Sequence, residues 1–426
     1  MDVIRGIALM GILFINICEA GLPMAYDSGA IHFFNLNPAD YYSWFIVNMT
    51  IEGKMRCLFS MLFGAGVILF TSKIEEQGKK STVLYYRRVL WLLVFGLIDV
   101  YVVLWTGDIL LEYAFCGLLL FPLRKLKSRY LILIAFLMLG WVSFFRNIPF
   151  MKEKNNRETY LQSEQLLKDG KKLSLEQKQG RENWIKRSKH IYPFSKETLG
   201  LVSAHIQNDI SEKRQGYADL FITQAPENFE EEYSAFAAAV WETLATMLIG
   251  ILLFRGGFFL GEWSTAKYLS TALVCFIIGF PIAYFITHGP SAHAAHNYIH
   301  YIDNHLFDIA ALEQIPRILL PIGYAAIIII ICAKNWLKKL TYALSCFGKM
   351  AFTNYMIQNL FITIFFYGHG FGQFGNFTRM EVFGIMVATW VIQITFSIFW
   401  LRRYNMGPLE WLWRSLTYKK FLPNKT

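Results

Sequence analysis

Charge is scarce in this sequence. Only 17% of its 426 residues are Asp, Glu, Lys or Arg, whereas soluble domains carry about 25%, so a soluble chain divided into polar-surfaced domains is excluded. Cysteine is scarcer still. The six residues Cys18, Cys57, Cys116, Cys275, Cys332 and Cys346 all lie in apolar runs with no paired spacing. That argues against a disulfide framework or a zinc motif and leaves them as small buried hydrophobes. Lys and Arg are absent altogether from segments 23–40, 106–107 and 288–314. The formal charge of +10 would suit nucleic acid or an anionic surface, but the basic residues cluster at the ends of apolar runs rather than on one face. Nucleic acid is therefore not an expected partner.

What is present instead is hydrocarbon. The chain is 55% hydrophobic and 17% aromatic, with mean hydropathy +0.35, and its apolar residues come in runs of roughly 18 to 22, the length that crosses about 30 Å of bilayer. The pattern predicts an all-α fold, a polytopic integral membrane helical bundle of about ten transmembrane helices. The spans are 3–22, 55–71, 89–105, 108–123, 130–148, 234–260, 268–287, 315–333, 342–366 and 381–401. Segment 40–53 reads as an interfacial helix leading into the second span. Val3 to Leu22 is too long for a signal-peptide core and lacks a small-residue cleavage site, so it is expected as a retained helix.

Orientation follows from the basic residues of the short loops. Lys73, Lys79, Lys80, Arg87 and Arg88, then Arg124, Lys125, Lys127 and Arg129, then Arg255 and Lys267, then Lys334, Lys338 and Lys339, and finally Arg402 and Arg403 fall on one side. That side is predicted to be cytoplasmic, with both termini in the cytoplasm of a bacterial cell membrane. The chain divides into an N-terminal bundle (1–150), a polar insert (151–232) and a C-terminal bundle (233–426). The insert falls outside and carries helical periodicity at Glu158 to Lys168 and Leu201 to Ile210, which predicts an extracytoplasmic helical cap. Neither a solenoid repeat nor an inverted transporter-type repeat is found.

Polar side chains inside spans cost several kcal/mol when unpaired and usually face a bundle interior or cavity. Arg5, Asn16 and Glu19 share one stripe of the first span, and Asn16 and Glu19 are one turn apart. Asp108 and Glu112 are i,i+4 at the outer end of the fourth span. Lys54 and Arg56 open the second span, placed to neutralise them. Glu242 lies one turn from Thr246, Asn354 one turn from Gln358, and Asp99 has no partner evident from sequence. Structural pairing of helices explains any one of these residues; the set, concentrated in the outer half, points to a functional cavity. In the outer loop His293, His296, His300 and Asp303 share a helical face. The spacing suits metal ligands, a general base or an interfacial amphipathic helix; no metal is expected. Arg87 and Arg88 suit either a phosphorylated donor or topology. Gly64 and Gly66 lie within a span and read as helix-packing residues rather than a nucleotide loop.

The opening Asp2-Val-Ile-Arg5-Gly6-Ile-Ala-Leu-Met-Gly11-Ile-Leu-Phe-Ile-Asn16 resembles that of the YeiB-like family of bacterial membrane proteins. Four more stretches agree in family order: Arg56 to Gly66, Trp105-Thr-Gly107-Asp108-Ile-Leu110, Gly348 to Gln358, and Gly407-Pro408-Leu-Glu410-Trp411-Leu-Trp413-Arg414. The insert matches mainly near Gly216. Asp99 stands where many relatives carry His, so this chain has no imidazole in its third span. The family is similar in layout to transmembrane acyltransferases that move an acetyl group from cytosolic acetyl-CoA to a sugar outside. The resemblance implies acyl-CoA as donor, entering near Arg5, Arg87 and Arg88. Asp108 or Glu112 would serve as general base with His296 as substitute, and Asn16, Asn354 or Gln358 as oxyanion donors. Arg56, Glu19 and Trp105 would contact a sugar or envelope acceptor. A homodimer fits this reading. A transporter or permease lined by Arg5, Asn16 and Glu19 is the alternative.

Overall fold

In hydrocarbon each backbone N–H and C=O must be satisfied within its own structure, which a helix accomplishes alone. The computed structural model describes residues 1–26, 38–78, 80–191, 196–288 and 294–425, with backbone only for residues 25, 189–191, 196–202, 225–238 and 294–297. Among the described residues it is all-helical apart from one bridge pairing Tyr404 with Lys425. Six helical stretches are long and apolar enough to cross a membrane: Asp2–Gly21, Pro38–Glu75, Ser128–Lys168, Thr265–His288, Ile309–Ala333 and Arg379–Leu401.

The other stretches read as spans from sequence are helical but irregular. Helix α4 (Ser81–Ile98) passes into a π-helical turn, Asp99–Val103, and α5 (Leu110–Leu123) has only 14 residues. Helix α9 (Tyr217–Arg255) carries the next, and the stretch 342–366 is broken at Met350 into α13 (Lys338–Lys349) and α14 (Ala351–Phe366). Among the described residues the insert is helical and continuous with the bundle at both ends. Helix α6 (Ser128–Lys168) runs unbroken from an apolar half into the polar segment, followed by α7 (Leu175–Ile191) and α8 (Lys196–Lys213), and α9 returns as one rod.

Helix α1 (Asp2–Gly21) occupies the centre, packed on α3 (Lys54–Glu75), α13, α14 and α15 (Arg379–Leu401), while α10 (Thr265–His288) packs on α12 (Gln314–Ala333). Large apolar side chains point outward: Ile132, Phe136 at 72% exposure, Leu137 and Phe144 on α6, Leu273 and Ile277 on α10, Val391 and Phe399 on α15. Patches of that extent on a soluble surface would be an aggregation hazard; against lipid tails they are solvated.

Without a hydrophobic drive between helices, close backbone approach at small residues holds such bundles together. Gly64 of α3 and Gly250 of α9 do this reciprocally: a Cβ on Gly64 would lie 2.0 Å from the Met247 carbonyl oxygen, and one on Gly250 2.0 Å from that of Met61. Gly66 faces open space. Gly64→Ala is therefore expected to cost about 1–3 kcal/mol through forced separation of the two backbones. Gly66→Ala should be neutral or stabilising by up to about 1 kcal/mol. Thermal unfolding of both variants in detergent checks the contrast, and equal effects would refute it.

Candidate functional site

A cavity of about 280 Å³ lies where the C-terminal half of α1, the first turn of α3 and the start of α5 converge; Asn16, Glu19, Glu52, Arg56, Asp108 and Glu112 line it with Gly11, Ile12, Ile15 and Met55. The volume sits near the lower end of small-molecule pockets, about 300 Å³, and suits a single small polar group.

Local structure aims each of these side chains. Asn16 and Glu19 are one turn apart on α1. Arg56 follows a tight turn at 51–53 in which Gly53 takes φ +68°, and a Cβ there would lie 2.4 Å from Arg317 Nε, so only glycine admits the guanidinium. The wall between α4 and α5 is built on distorted backbone. After the π-turn, Leu104 adopts φ +62°, a sparsely populated region for a residue with a side chain. Trp105 then buries its ring at 1% exposure behind Thr106 and Gly107. Such distortions concentrate at functional sites.

Asp108 caps α5. Its carboxylate accepts from Leu110 N at 3.0 Å and Leu111 N at 2.7 Å and from Tyr355 Oη at 3.2 Å. Behind it Asp99, fully buried, accepts from Asn359 Nδ2 at 2.6 Å and faces the Asp108 carboxyl within hydrogen-bonding reach. Glu112 is differently placed. Its Oε2 lies 3.9 Å from Arg56 Nη1, and its buried Oε1 has no hydrogen-bond partner.

The cavity is backed by a buried ion network. Arg317, 5% exposed, reaches Glu242 Oε1 and Oε2 at 3.0 and 3.2 Å and Glu52 Oε1 at 2.9 Å, and also pairs with Glu313. Glu242 is shared further with Arg56 at 3.6 Å and Arg146 at 4.0 Å, and Arg146 also pairs with Glu313. Glu52, Arg146, Glu313 and Arg317 were not singled out from sequence. A signal existed for one of them: Arg317 opens α12 directly after segment 288–314, which contains no Lys or Arg, where topology gives no reason for a cation.

Five sequence-derived residues thus meet at one cavity: Asn16, Glu19, Arg56, Asp108 and Glu112. Others do not. Asn354 and Gln358, the oxyanion candidates, do not line the cavity and sit in a helix seam. Asn354 Nδ2 donates to Phe347 O and Ser397 Oγ, both at 3.0 Å, and Gln358 Nε2 donates to Gln393 Oε1 at 2.9 Å, bonds that tie α14 to α13 and α15. Arg5 pairs with Asp2 at 2.9 Å. Arg87 donates to Thr417 O at 2.8 Å, and Arg88 stacks 3.9 Å over Trp413 while accepting from its Nε1, which fastens α16 (Pro408–Tyr418) to α4 rather than lining the cavity. In the same helix Glu410 accepts from Phe352 N and Thr353 N at 2.7 and 3.1 Å, capping α14; burial pushes its carboxyl above the usual range. His293 and the side chain of His296 lie outside the described residues. Of their helical neighbours, His300 is exposed and meets Asn304, while Asp303 pairs with Arg157.

Comparison with known proteins gives a family without an activity. Residues 253–420 match the family described as "Protein of unknown function (DUF418)". The chain is 28% identical to "Uncharacterized protein YxaH" of Bacillus subtilis (strain 168) over 99% of its own length and 94% of the relative's. It is 29% identical to "Uncharacterized protein YeiB" of Escherichia coli (strain K12) over 98% and 96%. No solved structure matches. The matched segment supplies Arg317, Tyr355 and Asn359 behind the wall, whereas every cavity-lining residue precedes it.

Proposed function

Because this chain belongs to the YeiB-like family of membrane proteins, whose relatives carry no assigned activity, we propose a function from the site itself. The protein is a membrane-bound acyltransferase that moves an acyl group from a cytosolic thioester such as acetyl-CoA to an acceptor presented on the outer side. The observation that carries this reading is the convergence of Asn16, Arg56 and Glu112 on one small cavity with Glu112 Oε1 left unbonded. The Glu112 carboxylate is the general base. Asn16 and Arg56 supply the N–H groups for the oxyanion. Asp108 is not the base, since its oxygens are engaged by backbone donors. In the ten-span arrangement with both termini cytoplasmic, the cavity lies at the outer end of the bundle.

The test is label transfer from radiolabelled acetyl-CoA to a panel of sugars and envelope fragments, run beside thermal unfolding of the detergent-purified protein. A donor at about a hundred times its dissociation constant should stabilise by about 2.7 kcal/mol, and label should appear in an acceptor. Solute uptake into proteoliposomes, with no acyl thioester raising the melting temperature and no covalent product, would replace this reading with transport.

A further inference from the structure

The end of the bundle where α12 and α15 terminate carries cations without counter-charges among the described residues. Residues 314–380 and 382–409 contain no Asp or Glu. Glu381, between these stretches, lies in the first turn of α15, about 30 Å of helix away from Arg402. Glu410, after them, is committed to the start of α14. Lys334, Lys338, Lys339, Arg402 and Arg403 are exposed, and among the described residues none of them forms an ion pair. Arg124 and Lys125, on the same side by the distribution of basic residues, differ in sharing Glu75.

A second observation is apolar. The turn between α12 and α13 points Trp336 and Leu337 outward at 58% and 63% exposure, and Leu340 and Tyr342 follow, also exposed. Asn335 and Leu337 take φ +56° and +53°, a region disfavoured for a leucine, so the backbone holds this side chain out where no part of the protein covers it. Tyr342 lies close to Arg402, and α13 packs on α15, which joins the turn and the end of α15 into one surface. Topology accounts for the sign of the charge but not for large apolar side chains set between the lysines. Lys338 and Lys339 do not serve their own helix either, since they stand in its first turn, where the helix dipole disfavours cations.

We propose that this surface binds the headgroups of anionic phospholipids, with the lysine ammonium groups on the phosphates and Trp336 and Leu337 in the boundary beneath them. A zwitterionic lipid covers the apolar side chains but leaves the cations without net counter-charge. A soluble anion supplies the charge and leaves Trp336 and Leu337 in water. An anionic phospholipid answers both. In the ten-span arrangement the leaflet concerned is the cytoplasmic one. The surface lies apart from the cavity, and the inference does not depend on the acyltransferase reading. Each cation held at an anionic surface strengthens binding by roughly fivefold, so three lysines together contribute on the order of a hundredfold.

The experiment is thermal unfolding of the detergent-purified full-length protein titrated with phosphatidylglycerol and, separately, with phosphatidylcholine of the same chains. The melting temperature is expected to rise saturably with phosphatidylglycerol, half-saturating at least about tenfold below phosphatidylcholine. That preference should shrink in about 1 M salt, where the screening length is about 3 Å. Lys334→Gln, Lys338→Gln and Lys339→Gln combined should abolish it, whereas the same changes at Lys168, Lys172 and Lys178, exposed on the insert, should leave it intact. Equal half-saturation by the two lipids overturns the proposal, as does a preference that survives the first triple variant or falls equally in both. Glycerol phosphate tests the headgroup without its chains; the same shift at the same concentration would make this a site for soluble anions and overturn the lipid assignment. The lipid and salt comparisons on the unaltered protein stand even if a variant does not fold.

Discussion

Arg317→Met is expected to destabilise the protein by about 3–5 kcal/mol, the range for removing one partner of a buried ion pair. The side chain is 5% exposed and serves three carboxylates from three places in the chain: Glu242 on α9, Glu52 in the turn before α3, and Glu313 one turn earlier. Without it Glu242 keeps Arg56 and Arg146 only at 3.6 and 4.0 Å, and Glu52 loses its 2.9 Å partner. Lysine should not rescue, because one ammonium cannot copy a planar fork spanning several acceptors. Adding Glu242→Gln to Arg317→Met should recover part of the loss, since the uncompensated charge goes with it; the recovery is the coupling energy of a double-mutant cycle. Unfolding of the four proteins in one detergent measures it. A single-variant loss below about 1 kcal/mol, typical of exposed pairs, would show that water reaches the network.

The same network marks where sequence reading stops. Helix type, the long apolar stretches, and the set Asn16, Glu19, Arg56, Asp108 and Glu112 were legible because each depends on spacing along one helix or on a side chain at odds with its surroundings. Pairing is not local. Arg317 and Glu242 are 75 residues apart, and nothing in either segment names the other. For Asn354 and Gln358 the sequence leaves helix pairing and oxyanion donation open, because their partners, Ser397 and Gln393, lie on the next helix. Asp108 was readable in a second way: an Asp two residues before a helix start is a capping signal, and its carboxylate does accept from Leu110 N and Leu111 N. The family glycines have a similar explanation. A Cβ on Gly6 would lie 2.5 Å from the Leu344 carbonyl oxygen and one on Gly348 2.7 Å from Gly6 N, so these motif positions hold the α1–α13 crossing rather than a ligand.

Glu112→Gln is expected to lower acyl transfer by about a hundred- to ten-thousand-fold, the span of general-base contributions, while the protein remains folded. Gln keeps the shape of the side chain but cannot accept a proton, so turnover rather than acceptor KM should carry the loss, and the low-pH limb of the rate profile that reports the base should vanish. Glu112→Asp keeps the acid but withdraws it by one methylene and should restore activity in part. Gln358→Leu provides the contrast. It leaves Gln393 Oε1 unsatisfied in a buried seam and should cost about 1–3 kcal/mol of stability, with no selective loss of turnover in the folded fraction. Turnover normalised to folded protein distinguishes the two. If Gln358→Leu abolished turnover while Glu112→Gln spared it, the reacting group would lie in the α14–α15 seam, and the cavity beside α1 would be a space between helices with no part in the chemistry.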